Sequence, residues 1–218
     1  MKTAIDRNQL AKQTVKALHQ LYPDADCALE YTQAHELLIA TILSAQSTDA
    51  TVNKVTKTVF EKYRTIQDFA IADPEEFEVE IYSTGFFRNK TKSVIGAANM
   101  IVEEFDGKVP DTMEDLLKLP GVARKTANVV LGTYFKKAEG IVVDTHVKRV
   151  SYRIGLTDHT DPEKIERDLM EVFPRDEWIF VGHALILHGR NICVARGPKI
   201  EICLLNDFCL QRGVKTPS

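Results

Sequence analysis

Apolar residues recur at intervals of three and four along most of this 218-residue chain, and that spacing commits it to helices. Leu10, Val15, Leu18 and Leu21 form one such face. Leu37, Leu38, Thr41 and Ile42 form a second, and Val52, Val55, Val59 and Phe60 a third. Start signals precede several of them. Ser47-Thr48-Asp49 offers cap residues to the third face. Asp73-Pro74-Glu75-Glu76 and Asp161-Pro162-Glu163 each place a cap residue, a proline at the first helical position, and acids in the first turn, where the helix dipole favours negative charge. Thr112 with Asp115 is a weaker capping box. The length accommodates about ten helices of roughly three turns. Only Ile141-Val142-Val143 reads as strand, and three residues cannot make a sheet. The fold class is therefore all-α.

With 44% hydrophobic residues the chain can bury a core without disulfide or metal staples, and disorder is excluded. Its length suits one large domain or two small ones. The N-terminal MKTAIDRNQLAKQTV lacks the apolar centre of a secretory signal. The longest apolar stretch, Trp178 to Leu187, is interrupted by Gly182 and His183 and is shorter than the roughly 20 residues a membrane span needs. A cytoplasmic chain with no membrane partner is expected, in a compartment that disfavours disulfides.

Net charge is −3, from 28 basic and 31 acidic residues, which by itself gives no sign of a polyanionic partner. The distribution says more. Between Lys118 and Arg153 stand eight basic residues and two acids, Glu139 and Asp144, so this window is +6 against −9 for the remainder. Charge alone fits a solvated helical face or a polyanion-binding one.

Within that window Leu119-Pro120-Gly121-Val122-Ala123-Arg124-Lys125-Thr126-Ala127 reads as a helical hairpin. A helix carrying Met113, Leu116 and Leu117 runs into Leu119 and stops at Pro120-Gly121; a second starts near Ala123. Gly121 allows a tight turn and close approach of a partner. The unpaired N–H groups at the new helix start form an anion site that suits a DNA phosphate. A lysine follows in the first turn. The dipole's positive end disfavours its charge, and a neutral amine is a nucleophile. Nineteen residues on, Asp144 precedes the periodic segment Val147, Val150, Tyr152 and Ile154 and is placed as its N-cap. His146 reads as a partnered or surface histidine.

Leu119 to Leu131, followed by Val142-Val143-Asp144-Thr145-His146-Val147-Lys148-Arg149, resembles the helix–hairpin–helix DNA glycosylases, specifically the endonuclease III family. Leu43-Ser44-Ala45-Gln46-Ser47-Thr48-Asp49, Thr84-Gly85-Phe86-Phe87-Arg88-Asn89-Lys90 and Ala184-Leu185-Ile186-Leu187-His188-Gly189-Arg190 resemble further signatures of that family, in the family's order, over about residues 30–210. The resemblance implies a monomeric enzyme on double-stranded DNA that excises oxidised pyrimidines and cleaves the strand at the abasic site. It implies Lys125 as nucleophile and Asp144 as the carboxylate that stabilises the cationic sugar or moves its proton. Gln46 and Phe86, or the adjacent Phe87, would fill the hole left by the flipped nucleotide. Gly121, Val122, Ala123, Arg124, Lys148 and Arg149 would contact the DNA backbone. Ala123 stands where the family usually has glycine, which is harmless if its dihedrals are already helical. The implied architecture is two helical lobes, a six-helix lobe over 27–137 and a second from 1–26 plus 138–218, with Lys125 and Asp144 facing each other across a cleft.

The resemblance also implies a [4Fe–4S] cluster on the spacing Cys-x6-Cys-x2-Cys-x5-Cys. Cys193, Cys203 and Cys209 occupy three of the four positions, and Ile200 occupies the second. Four thiolates are the normal complement. Three outcomes stand open: a non-cysteine fourth ligand such as Glu201, a three-iron cluster, or no cluster, with Ile200 packing the loop; the expectation leans to a degenerate cluster. Cys27 stands apart and reads as a small buried hydrophobe. Two other functions use the same scaffold: a non-catalytic DNA-binding module, which needs neither Lys125 nor Asp144, and a glycosylase for mismatched or alkylated bases.

Overall fold

A computed structural model describes residues 6–214; the chain ends of the expected second lobe, 1–5 and 215–218, lie outside the described residues. The described chain contains eleven α-helices and no strand. They are α1 (Arg7–Leu21), α2 (Ala34–Leu43), α3 (Asp49–Lys62), α4 (Ile66–Ala70), α5 (Pro74–Ile81), α6 (Phe87–Glu104), α7 (Met113–Leu116), α8 (Arg124–Thr133), α9 (Thr145–Ile154), α10 (Pro162–Val172) and α11 (Trp178–Asn191). The all-helical expectation holds. Ile141, Val142 and Val143 are buried in extended backbone without a ladder partner. No described helix is long and apolar enough to cross a membrane.

The chain divides into two compact units: Cys27–Lys137, and the remainder made from the residues up to Asp26 and from Ala138 onward. In the Cys27–Lys137 unit, α2 is the core. His35 and every residue from Leu37 to Leu43 are buried, the signature of a helix surrounded on all sides. Around it pack α3, α6 and α8. Below α3 and α6, the short α4 and α5 insert Phe69 and Phe77 into an aromatic cluster with Tyr63, ring centroids 5.1 to 6.1 Å apart. The unit holds seven helices, one more than expected, because α7 is a separate four-residue element.

Local signals set the helix starts. Oxygens of Thr48, Asp73, Thr112 and Asp161 accept from the N–H of Thr51, Glu76, Asp115 and Lys164 at 2.9 to 3.2 Å. Each satisfies a donor the helix cannot pair internally.

In the other unit, α11 packs on α9 and α1, and α1 packs on α10. Their shared core includes Leu18, Val147, Val150, Ile165, Leu169, Val181 and Leu185. Gly189 makes the α9–α11 crossing feasible: a Cβ there would lie 2.8 Å from the His146 Cβ, inside contact distance.

Phe69→Ala removes a fully buried ring from the aromatic cluster of the Cys27–Lys137 unit. It is expected to lower unfolding stability by about 3–5 kcal/mol, read as a drop in the urea midpoint at constant slope.

Candidate active site

The hairpin is assembled from α7 and α8. After Leu116 the chain tightens: Lys118 and Leu119 donate to the carbonyls of Asp115 and Leu116, three residues back. The expectation of a helix running to Leu119 is corrected on this point, since three-residue bonds replace the α-helical ones there. Val122 donates to Leu119 at 3.1 Å and closes the turn over Pro120-Gly121. Leu119 and Val122 are buried and hold the turn from within. Gly121 has φ 76°, and a Cβ on it would lie 2.5 Å from the Ser93 Cβ of α6. Conformation and space both demand glycine here.

Ala123 is the N-cap of α8, with φ −94° and ψ 170°. Its backbone is extended and not helical, so the condition named for alanine is not the one met, but a negative φ of that size suits alanine equally well. Alanine has no side-chain acceptor, so no side chain caps α8. The first N–H groups of α8 are thus left for an external acceptor, at the positive end of the helix dipole. Lys125 stands on this first turn, exposed, and makes no hydrogen bond or ion pair among the described residues. Arg124 beside it is half-buried.

Close to Gly121 is a surface cavity of about 220 Å³, lined by Ile42, Ala45, Gln46, Phe86, Asn89, Lys90, Ser93 and Gly121. The structure thereby gathers Gln46, Phe86 and Gly121, which lie far apart in sequence. Gln46, just beyond α2, has φ 55°, and Phe86, the N-cap of α6, has φ 50°. Left-handed backbone is uncommon for residues other than glycine and strained for a bulky one. Phe86 is 62% exposed. Phe87 instead packs on Tyr82 with ring centroids 4.9 Å apart. Of the two aromatics, Phe86 is the one presented to solvent.

Lys90, the last residue of the Thr84–Lys90 motif, has no role assigned from sequence. It is 4% exposed, and its Nζ donates to the Thr84 carbonyl at 2.7 Å, tying α6 to the turn that presents Phe86. Burial pulls its pKa below the ordinary lysine value. The available signal was its register: Lys90 falls with Val94, Ala97 and Ile101 on the buried face of α6.

In the other unit Asp144 caps α9. Its Oδ1 accepts from the N–H of His146 and of Val147, both at 2.8 Å. Lys148 is exposed. Arg149 differs from the expectation of a phosphate contact: its Nη2 donates to the Gly189 carbonyl at 2.7 Å and its Nε to the Cys193 carbonyl at 3.1 Å. The guanidinium is engaged within its own unit because Gly189 brings α11 against it. His146 is partnered, its Nδ1 lying 3.2 Å from the Arg149 Nη2.

Cys193, Cys203 and Cys209 line one cavity of about 30 Å³ together with Arg153, Lys199 and Ile200. Burial pushes the Cys203 thiol pKa up, and pushes the neighbouring His188 imidazole down to about 4. Glu201 is exposed, and among the described residues no group of three or more His, Cys, Asp or Glu is placed to hold a metal ion. Three thiols with an isoleucine in the second position do not match the four-thiolate set of a [4Fe–4S] cluster.

Residues 39–175 match the family of HhH-GPD superfamily base excision DNA repair proteins. The chain is 52% identical to endonuclease III of Synechocystis sp. over 203 residues, 93% of each chain. It is 43% identical to endonuclease III of Bacillus subtilis, covering 87% of this chain and 86% of that one. The fold is similar to that of a trapped endonuclease III–DNA covalent intermediate, with TM-score 0.90 and 41% identity over 95% of this chain and 97% of that one. A thermostable thymine-DNA glycosylase shares the fold, with TM-score 0.83 at 22% identity over 93% of this chain and 96% of that one.

The two cap bonds to Asp144 set a measurable expectation. Asp144→Ala leaves the first N–H groups of α9 without their acceptor and is expected to cost about 1 kcal/mol of stability in a denaturant titration. Asn caps as well as Asp, so Asp144→Asn is expected to remain within about 0.5 kcal/mol of the parent.

Proposed function

The chain belongs to the endonuclease III family of the HhH-GPD superfamily of base excision DNA repair proteins, and from that premise we propose how its residues divide the work on damaged double-stranded DNA. It is a DNA glycosylase and abasic-site lyase. The substrate class we assign is oxidised pyrimidine, and the acting species a monomer.

The observation that carries the residue assignment is the start of α8. An exposed amine without an ion pair, Lys125, stands on the first turn of a helix whose N–H groups no side chain caps. Those N–H groups, following the Gly121 turn, bind a backbone phosphate and register the strand. The damaged nucleotide is flipped out of the stack. Deprotonated Lys125 Nζ attacks the deoxyribose C1′; the N–C1′ bond forms as the glycosidic bond breaks, and the base leaves with its electron pair. The ring then opens to an imine between Lys125 and C1′. The imine acidifies the C2′ proton, and its removal expels the 3′ phosphate by β-elimination, which nicks the strand.

Asp144 supports this chemistry with a carboxylate whose Oδ1 already holds two backbone N–H groups. That fixes its position and leaves the other oxygen for the sugar's developing positive charge or for a proton moving to and from Lys125. Gln46 and Phe86, held on one cavity by left-handed backbone, are the wedges that replace the flipped nucleotide. Lys148 is assigned to a phosphate, as is Arg124. Arg149 is withdrawn from that list. The cysteine segment occupies the family's iron–sulfur position, and no step above passes through it.

Borohydride trapping on an abasic duplex is expected to yield a covalent adduct with the parent protein and none with Lys125→Ala; an adduct with the variant would remove Lys125 from its role. Asp144→Asn should retain duplex binding and lose turnover by about 10²–10⁴-fold. Lys148→Ala should make the slope of log affinity against log salt shallower by about 0.9, whereas Arg149→Gln should leave that slope unchanged and lower stability.

A further inference from the structure

We propose that in this chain the segment from Cys193 to Arg212 is held by the buried guanidinium of Arg153 and by the side chain of Ile200, in place of an iron–sulfur cluster, and that it folds free of metal. Arg153 is 8% exposed. Its Nη1 donates to the Val194 carbonyl at 2.7 Å and its Nη2 to the Ala195 carbonyl at 2.9 Å. Nη1 also reaches the Cys193 carbonyl and Sγ, both at 3.4 Å. The same residue holds the other end of the segment through its main chain. Its carbonyl accepts from the Arg212 N–H at 3.2 Å and from the Cys209 thiol at 3.3 Å. One residue of α9 thus ties both ends of the segment.

Backbone bonds tie the segment to the ends of α11 and α9 as well. Lys199 donates to the Ile192 carbonyl at 3.0 Å, and Leu210 to the Ile154 carbonyl at 3.3 Å. Leu205 is buried in the core of its unit, with all three thiols packed against that core. Ile200 forms part of the cavity wall at the position where a fourth thiolate would stand. The remaining cavity, about 30 Å³, has room for about two waters, at roughly 10–15 Å³ of such space for each. A [4Fe–4S] cubane takes four thiolates, and the wall supplies three, with the Ile200 side chain where the fourth would stand.

The test uses the full chain, purified without oxygen from iron-replete cells. Iron and acid-labile sulfide are expected well below one per chain, in colourless protein. Ile200→Cys completes the four-thiolate set and is expected to acquire visible absorption and iron. Parent protein carrying roughly three or four irons per chain overturns the proposal. Hydrogen exchange separates what holds the loop. Arg153→Gln is expected to speed amide exchange across residues 193–212 about tenfold or more, and replacing all three cysteines with serine to change it less than about twofold. The reverse order would overturn the proposal. Should Arg153→Gln fail to fold, Arg153→Lys, which loses the forked geometry but keeps the charge, is expected to speed exchange in that segment alone.

Discussion

One absent methyl group organises the Cys27–Lys137 unit. Because Gly121 has no Cβ, the hairpin turn lies directly on Ser93 of α6. α6 begins at Phe87 and carries Lys90, so the same contact fixes the hairpin relative to Phe86 and its supporting turn. Gln46 enters the same cavity from the end of α2, the helix around which the unit is built. The turn we assign to a phosphate and the two residues we assign as wedges are therefore registered by packed backbone, with the buried Lys90 side chain tying in the turn that presents Phe86. A rigid base of this kind suits a reaction that must hold a flipped nucleotide near one amine.

The parts of this structure legible in the sequence are those set within a few residues. Caps at Thr48, Asp73, Thr112, Asp144 and Asp161 follow from an oxygen within reach of an N–H two or three positions on. The hairpin is equally local, since proline and glycine interrupt one helix and free another. The apolar run Ile141 to Val143 has strand character but is too short for a sheet, and it is extended chain packed in a core.

What escaped the sequence depends on neighbours distant along the chain. Arg149 has the composition of a phosphate contact, but the crossing at Gly189 brings two carbonyls to its guanidinium. Lys90 closes a turn motif in the sequence, and only the packing of α6 shows it turned inward onto Thr84. The roles of Phe86 and Phe87 separate only when Tyr82 is seen beneath the second. Arg153 contributed to the basic window as one more charge, and its burial removes it from the polyanion-facing surface. The excess of positive charge at residues 118–153 therefore divides between the hairpin we assign to DNA and internal scaffolding.

The left-handed backbone at Gln46 and Phe86 sets stability against function in this protein. Each residue gives up about 1 kcal/mol relative to glycine by adopting that conformation. Glycine at either position would relax the backbone while deleting the side chain we assign to the DNA stack. Selection for heat resistance alone would accordingly favour losing both proposed wedges, so thermal stability and engagement of DNA pull in opposite directions at these two positions.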